Sequence, residues 1–178
     1  MGCGAHPGEV ILVEPMSGPA DAAAFKELNL EWITALFGVE PADLATLDNP
    51  QRIVADGGQV LIARDGDDRV GCVALVAEDP GVFEISKMAV APPARGRGIG
   101  RLLLNAAIDH ARASGATSLF LASNGRLADA VHLYESVGFV HVPPAQLRPI
   151  PYDRADVFMK FDLTHQISAV RPLLGTIS

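Results

Sequence analysis

The residue types with the most chemical potential stand together in residues 90–100, VAPPARGRGIG. Gly96, Gly98 and Gly100 let the backbone curl closely and expose consecutive N–H groups. A helix beginning at Ile99 adds the unpaired N–H groups of its first turn and the positive end of its dipole. Arg95 and Arg97 can bring further positive charge from the side. The pattern suits an anion such as a diphosphate; its plainer use is a tight turn from strand to helix. No Lys followed by Ser or Thr succeeds it, which argues against a nucleoside-triphosphate loop. The glycines lie mid-chain, with a spacing unlike the dinucleotide fingerprint.

Such a turn needs a strand before it and a helix after it. GVFEISKMAV predicts a long strand over 83–90. Its alternation puts Phe83, Ile85, Lys87 and Ala89 on one side and Glu84, Ser86, Met88 and Val90 on the other. IGRLLLNAAIDHARASG predicts a helix with Ile99, Leu103, Ala106 and Ala107 near one stripe and Gly115 past its end. ATSLFLASN predicts a strand, and NGRLADAVHLYESVGF a helix stopped by Gly138. Upstream, EVILVEP reads as a short strand and residues 18–38 as a helix, with a kink to be weighed at Asn29–Leu30. Residues 41–58 read as a second helical segment interrupted at Asn49–Pro50. A hairpin follows, with strands Val60–Ala63 and Val70–Val76. FVHV and DVFMKFDL close the chain's regular part around the proline-rich loop Pro143–Tyr152. The order predicts an α/β single domain, a mixed sheet flanked by helices.

Composition narrows the partners. The 178 residues are 49% hydrophobic and 20% charged, which fits one globular domain. A formal charge of −7, from 14 basic and 21 acidic residues, argues against nucleic acid as a partner. Cys3 and Cys72 are too few for a disulfide framework. The N-terminus lacks a basic start followed by a long apolar stretch, and no run reaches the roughly 18 apolar residues of a membrane span. A cytoplasmic protein without a membrane partner is therefore expected.

Arg95-Gly96-Arg97-Gly98-Ile99-Gly100 resembles the acetyl-coenzyme A loop of the GCN5-related N-acetyltransferase (GNAT) superfamily. The resemblance extends through KMAV, the following helix, LFLASN and AVHLYESVGF, over roughly Gln59 to Phe139. It implies a mixed, mostly antiparallel twisted sheet, splayed between the fourth strand (83–90) and the fifth (118–123). It implies acetyl-coenzyme A as cofactor, with its pantetheine arm lying in that gap. Backbone groups of Met88, Ala89 and Val90 would bond pantetheine, and Arg95, Gly96, Arg97, Gly98, Ile99 and Gly100 would carry the diphosphate. Asn124 matches a position that touches the pantetheine arm. Tyr134 matches the tyrosine that protonates the departing thiolate, a role suited to a hydroxyl whose reference pKa is close to that of a thiol.

The family also places a carboxylate on the fourth strand, which makes Glu84 the candidate base. Its expected face partners, Met88 and Val90, would turn it toward the cleft. Glu31 is an alternative base. Trp32 beside it would line the acceptor wall or fill core. Lys87 either binds an acidic part of the substrate or covers apolar surface while its amine reaches water or a carboxylate. Arg148, Tyr152 and Arg154 could recognise a carboxylate or simply be solvated. Asp129 and His132 lack further ligands nearby, so no metal site is expected. Cys72 resembles a small buried hydrophobe, and direct transfer is expected in place of an acyl-enzyme route.

The expected domain is residues 1–163, followed by an extension over 164–178 whose ISAVRPLLG stretch could cover a sheet edge, form a homodimer contact or stay mobile. The expected activity is acetyl transfer to a primary amine of a small metabolite or amino-acid-like acceptor. Its rivals are transfer to a protein or peptide amine, and a coenzyme A-binding sensor or interaction module without turnover.

Overall fold

The computed structural model describes residues 10–164. The elements run β1 (Leu12–Pro15), α1 (Gly18–Leu36), α2 (Pro41–Leu47), α3 (Pro50–Ala55), β2 (Gln59–Asp65), β3 (Asp68–Asp79), β4 (Val82–Val90), α4 (Ile99–Ala113), β5 (Ser118–Ser123), α5 (Ala128–Val137), β6 (Val140–His141) and β7 (Val157–Asp162). One seven-stranded sheet has the order β1-β2-β3-β4-β5-β7-β6. Every pairing is antiparallel except β4 with β5. That exception follows from the crossover through α4, since parallel neighbours need a long connection. The predicted mixed, mostly antiparallel sheet flanked by helices is the observed one. The extension from residue 165 onward lies outside the described residues.

Both sheet faces are covered, which is why β2 and β3 read as continuous apolar runs. Leu61, Val73 and Leu75 join Leu103, Leu104, Ala107 and Tyr134 in a core under α4 and α5. Val60, Ile62, Cys72 and Ala74 join Phe25, Ile33 and Leu47 in a second core under α1 and α2. Each large apolar side chain so buried contributes on the order of 1.5–3 kcal/mol. Gly71 marks where α4 presses on the sheet: a Cβ there would stand 2.9 Å from Leu103 Cδ1. α1 runs unbroken from Gly18 to Leu36, through Asn29–Leu30. Asn29 sits in its buried stripe, where its amide donates to the Phe25 carbonyl (2.9 Å) and contacts Cys72 Sγ at 3.4 Å, while its oxygen accepts from Trp32 Nε1. A polar residue can occupy that stripe because these bonds replace water.

The alternation expected along β4 fails at its centre. Pairing with β3 runs Ala74↔Ser86 and then Cys72↔Ala89, so one extra β4 residue is inserted between those pairs. Lys87 adopts φ 52°, the described non-glycine residue with positive φ. Such a bulge reverses the facing of whatever follows it. Phe83 and Ile85 therefore face the α4 core together with Met88 and Val90, whereas Ala89 faces the α1 core. Met88 and Val90 are not face partners of Glu84, as strict alternation required.

Candidate active site

Pairing between β4 and β5 covers three residue pairs, Val82↔Ser118, Phe83↔Leu119 and Glu84↔Phe120, and stops there. Beyond Glu84 the strands part. A cleft of about 740 Å³ occupies the gap, bounded by the end of α1, the outer half of β4, the residue 94–101 turn and α5. Met88, Ala89 and Val90 line it, with backbone on an edge that β5 no longer covers.

The glycine turn closes one end. Gly96 and Gly98 have φ of 80° and 78°, and Gly98 is the residue capping α4. A Cβ at either would meet nothing within 4 Å, so the backbone conformation demands glycine there, not crowding. Gly100 serves differently: its Cβ would approach Leu133 Cδ2 at 3.3 Å, where α4 packs on α5. No hydrogen bond among the described residues uses the amides of Gly96, Arg97, Gly98, Ile99, Gly100 or Arg101. Six amides without a partner among the described residues, at the positive end of a fifteen-residue helix, are arranged to receive an anion. With the uncovered β4 edge beside it, the site fits a cofactor having both a diphosphate and an extended amide-bearing arm.

The two arginines of the turn are held by carboxylates. Arg95 donates to Glu31 at 3.0 Å and to the Val90 carbonyl at 3.2 Å, tying the turn to α1 and to the end of β4. Arg97 pairs with Asp65 at 2.6 Å and does not line the cleft. The amides and Arg101, which does line the cleft, remain to meet an anion. Glu31 is exposed against Arg95 and outside the lining, whereas Trp32 is part of the wall. Asn124 lines the cleft while donating to the Arg154 carbonyl (2.6 Å) and accepting from the Arg126 amide (2.8 Å).

Glu84 and Tyr134 both line the cleft, and neither side chain makes a hydrogen bond among the described residues. Burial raises the Glu84 carboxyl to about 7; the nearby Glu78 charge adds to the rise and Lys87 opposes it. A carboxyl near 7 is matched to receiving a proton at neutral pH. Burial pushes the Tyr134 phenol up to about 12, so it stays protonated. It is therefore a weaker acid than a thiol, whose reference value is about 8.5. Tyr134 is suited to hydrogen-bonding a thiolate without surrendering its own proton, and the near match of reference values does not survive burial. Burial also raises the Cys72 thiol to about 12, which keeps it unreactive.

The sequence reading missed the cluster behind the cleft. Asp43, fully buried on α2, accepts from Lys87 Nζ at 2.8 Å and from both Arg154 terminal nitrogens at 2.8 and 2.6 Å. Burial is the largest single influence and would raise its carboxyl, but Arg154, Lys87 and the Glu40 amide together hold it well below the usual range. Lys87 also donates to the Tyr152 hydroxyl at 2.9 Å, and Arg154 lies 4.8 Å from the Tyr152 ring centroid and 5.7 Å from that of Trp32. Lys87 thus spends its charge on a carboxylate and does not reach water. Arg154 is not solvated. The sequence signals were a lysine interrupting an apolar strand and the loop residues Tyr152 and Arg154 as carboxylate binders; Asp43, 44 residues from Lys87, carried none.

The Acetyltransferase (GNAT) family model matches residues 23–139, and the chain belongs to that family. An IAA acetyltransferase of Azospirillum brasilense is 34% identical over 121 residues, 67% of this chain and 78% of that protein. A GNAT-family acetyltransferase structure from Staphylococcus aureus aligns with a TM-score of 0.79 at 20% identity, covering 86% of this chain and 99% of that one. The structure of yncA from Salmonella typhimurium with its cofactor acetyl-CoA aligns with a TM-score of 0.66 at 22% identity, over 86% and 94% of the two chains.

Gly98→Ala should separate the turn's two uses. The forced positive φ costs about 1–2 kcal/mol of folding stability, seen as a modest fall in Tm. Acetyl-CoA affinity measured by calorimetry should fall further, about a hundredfold or more, because the amides of the turn are displaced. Equal losses in both would leave a tight turn and nothing else.

Proposed function

We propose that this protein moves an acetyl group from acetyl-CoA directly to a primary amine of a small molecule. The observation that carries this reading is the parting of β4 and β5 beside the free amides of the α4 terminus. The family, the acetyl transfer named for the Azospirillum relative and the acetyl-CoA of the yncA structure support it. Met88, Ala89 and Val90 hold the arm through backbone groups. Gly96, Gly98, Ile99 and Gly100 hold the diphosphate through amides, with Arg95 and Arg97 bracing the turn through their carboxylate partners and Asn124 fixing the opposite lip.

When bound, acetyl-CoA supplies a thioester whose acetyl carbon forms the new C–N bond as its C–S bond breaks. Glu84 takes the proton of the incoming ammonium, directly or through water, and later releases it to solvent; the second N–H proton, shed as the amide forms, leaves with the departing thiolate as the thiol. Tyr134 donates a hydrogen bond to the sulfur as negative charge gathers there. Trp32 and the Lys87–Asp43–Arg154 cluster keep the acceptor wall in place.

A thiol-release assay over a broad amine library tests the reading. Amine-dependent release is the expected result. Tight acetyl-CoA binding with no release across small amines and peptides would make the protein a coenzyme A-binding sensor, and release with peptides alone would move the acceptor to a protein amine.

A further inference from the structure

A second cavity, of about 190 Å³, adjoins the cofactor cleft, and Glu84, Ser86 and Tyr152 line both. We infer that this cavity is the acceptor pocket and that it takes a compact primary amine with an apolar body and no carboxylate. The inference rests on the acetyl-transfer reading and adds to it the chemical class of the acceptor.

Position comes first. A molecule in this cavity reaches Glu84 without entering the glycine seat, so the base stands where the two spaces meet. Size and lining come next. Val76, Phe120 and Ile150, with the flanking prolines 149 and 151, supply apolar walls. An apolar cavity of about 150 Å³ accommodates benzene, so this one holds a body near that size and excludes a peptide chain. Charge decides the rest. Glu78 and Arg148 line the cavity and pair at 3.0 Å, and Arg148 also meets Asp79 at 3.1 Å. Glu84 has no ion pair among the described residues. Two carboxylates thus hold one guanidinium and Glu84 lines the same cavity, while Lys87 and Arg154 are committed to Asp43, and Glu40 to Arg154. An ammonium enters a favourable field. A carboxylate on the acceptor would have to displace Glu78 or Asp79 from Arg148 while facing Glu84, and like charges so placed repel.

Benzylamine and phenylglycine differ by one carboxylate and make the test direct, with a tripeptide as third acceptor. Thiol release should favour benzylamine over phenylglycine by about a hundredfold in kcat/KM, and the tripeptide should be inert. Val76→Phe fills the cavity. It should raise the benzylamine KM, and its calorimetric Kd on CoA-loaded protein, about tenfold while acetyl-CoA affinity holds. Should that variant fail to fold, Ile150→Ala is the second probe: it enlarges the cavity and should shift preference toward phenylpropylamine. An unchanged benzylamine Kd in folded Val76→Phe, an unchanged preference in Ile150→Ala, or phenylglycine or the tripeptide matching benzylamine would overturn the pocket assignment. Release with phenylglycine or the tripeptide would still leave acetyl transfer standing. No release with any of the three, nor with the broad library, would overturn both readings.

Discussion

Glu84→Gln is expected to lower kcat about a hundredfold at pH 8, within the range that a positioned general base contributes. The parent's rate should rise with pH through about 7, the value to which burial lifts this carboxyl, and then level. In the variant that limb should vanish. A second limb set by the amine will move when the amine is changed; the Glu84 limb will not. A variant that keeps both its rate and the limb near 7 would place the base elsewhere. The same substitution has a stability signature of opposite sign. Glu84 titrates near 4.5 when unperturbed and near 7 in the fold, so the folded protein binds its proton more tightly. That contribution is fully present below about 4.5 and is lost as pH rises through about 7. The variant should therefore melt above the parent at pH 8, with the gap closing toward pH 4. Loss of rate with gain of stability is the pattern of a group held at a cost for chemistry.

Tyr134→Phe is expected to lower kcat about a hundredfold as well, with acetyl-CoA affinity unchanged. The hydroxyl bonds to no described group, and the ring packs at 6.0 Å from Phe139 in the α4 core. Removing the oxygen leaves the ring's contacts in place and strands no partner, so Tm should hold or rise slightly. Because the phenol stays protonated to about 12, the rate should show no limb from Tyr134 below that pH. An unchanged kcat would make Tyr134 a core tyrosine. A large fall in Tm would show that the hydroxyl has a structural partner, and kinetics alone would then say little.

Much of the frame was legible because it depends on local signals. The strand of residues 83–90, the glycine turn and the helix from Ile99 follow one another within a few tens of residues. Their periodicity and punctuation mark them without reference to the rest of the chain. Glu84 and Tyr134 reach the same cleft because the elements that carry them are anchored beside that turn. The bulge at Lys87 was not legible. An alternating stretch of nine residues carries no mark of an extra one, and a lysine is a poor advertisement for positive φ. Its conformation costs about 1–2 kcal/mol and is held by the ion pair with Asp43, which no local pattern announces. The pairing of Arg95 with Glu31 and of Arg97 with Asp65 was hidden for the same reason: partners 64 and 32 residues apart meet through the fold alone.

The residues by themselves determined the class of protein: a sheet-and-helix domain with a glycine turn of free amides at the start of α4, since backbone conformation and helix polarity are properties of short segments. Tertiary structure alone decided what surrounds that turn. It buried Asp43 between Lys87 and Arg154, inserted the bulge at Lys87, desolvated Glu84 and Tyr134, and set a small cavity lined by Glu78 and Glu84 against the cleft. Those outcomes depend on desolvation and on charges brought close by the fold, and both are sums over groups far apart in the chain.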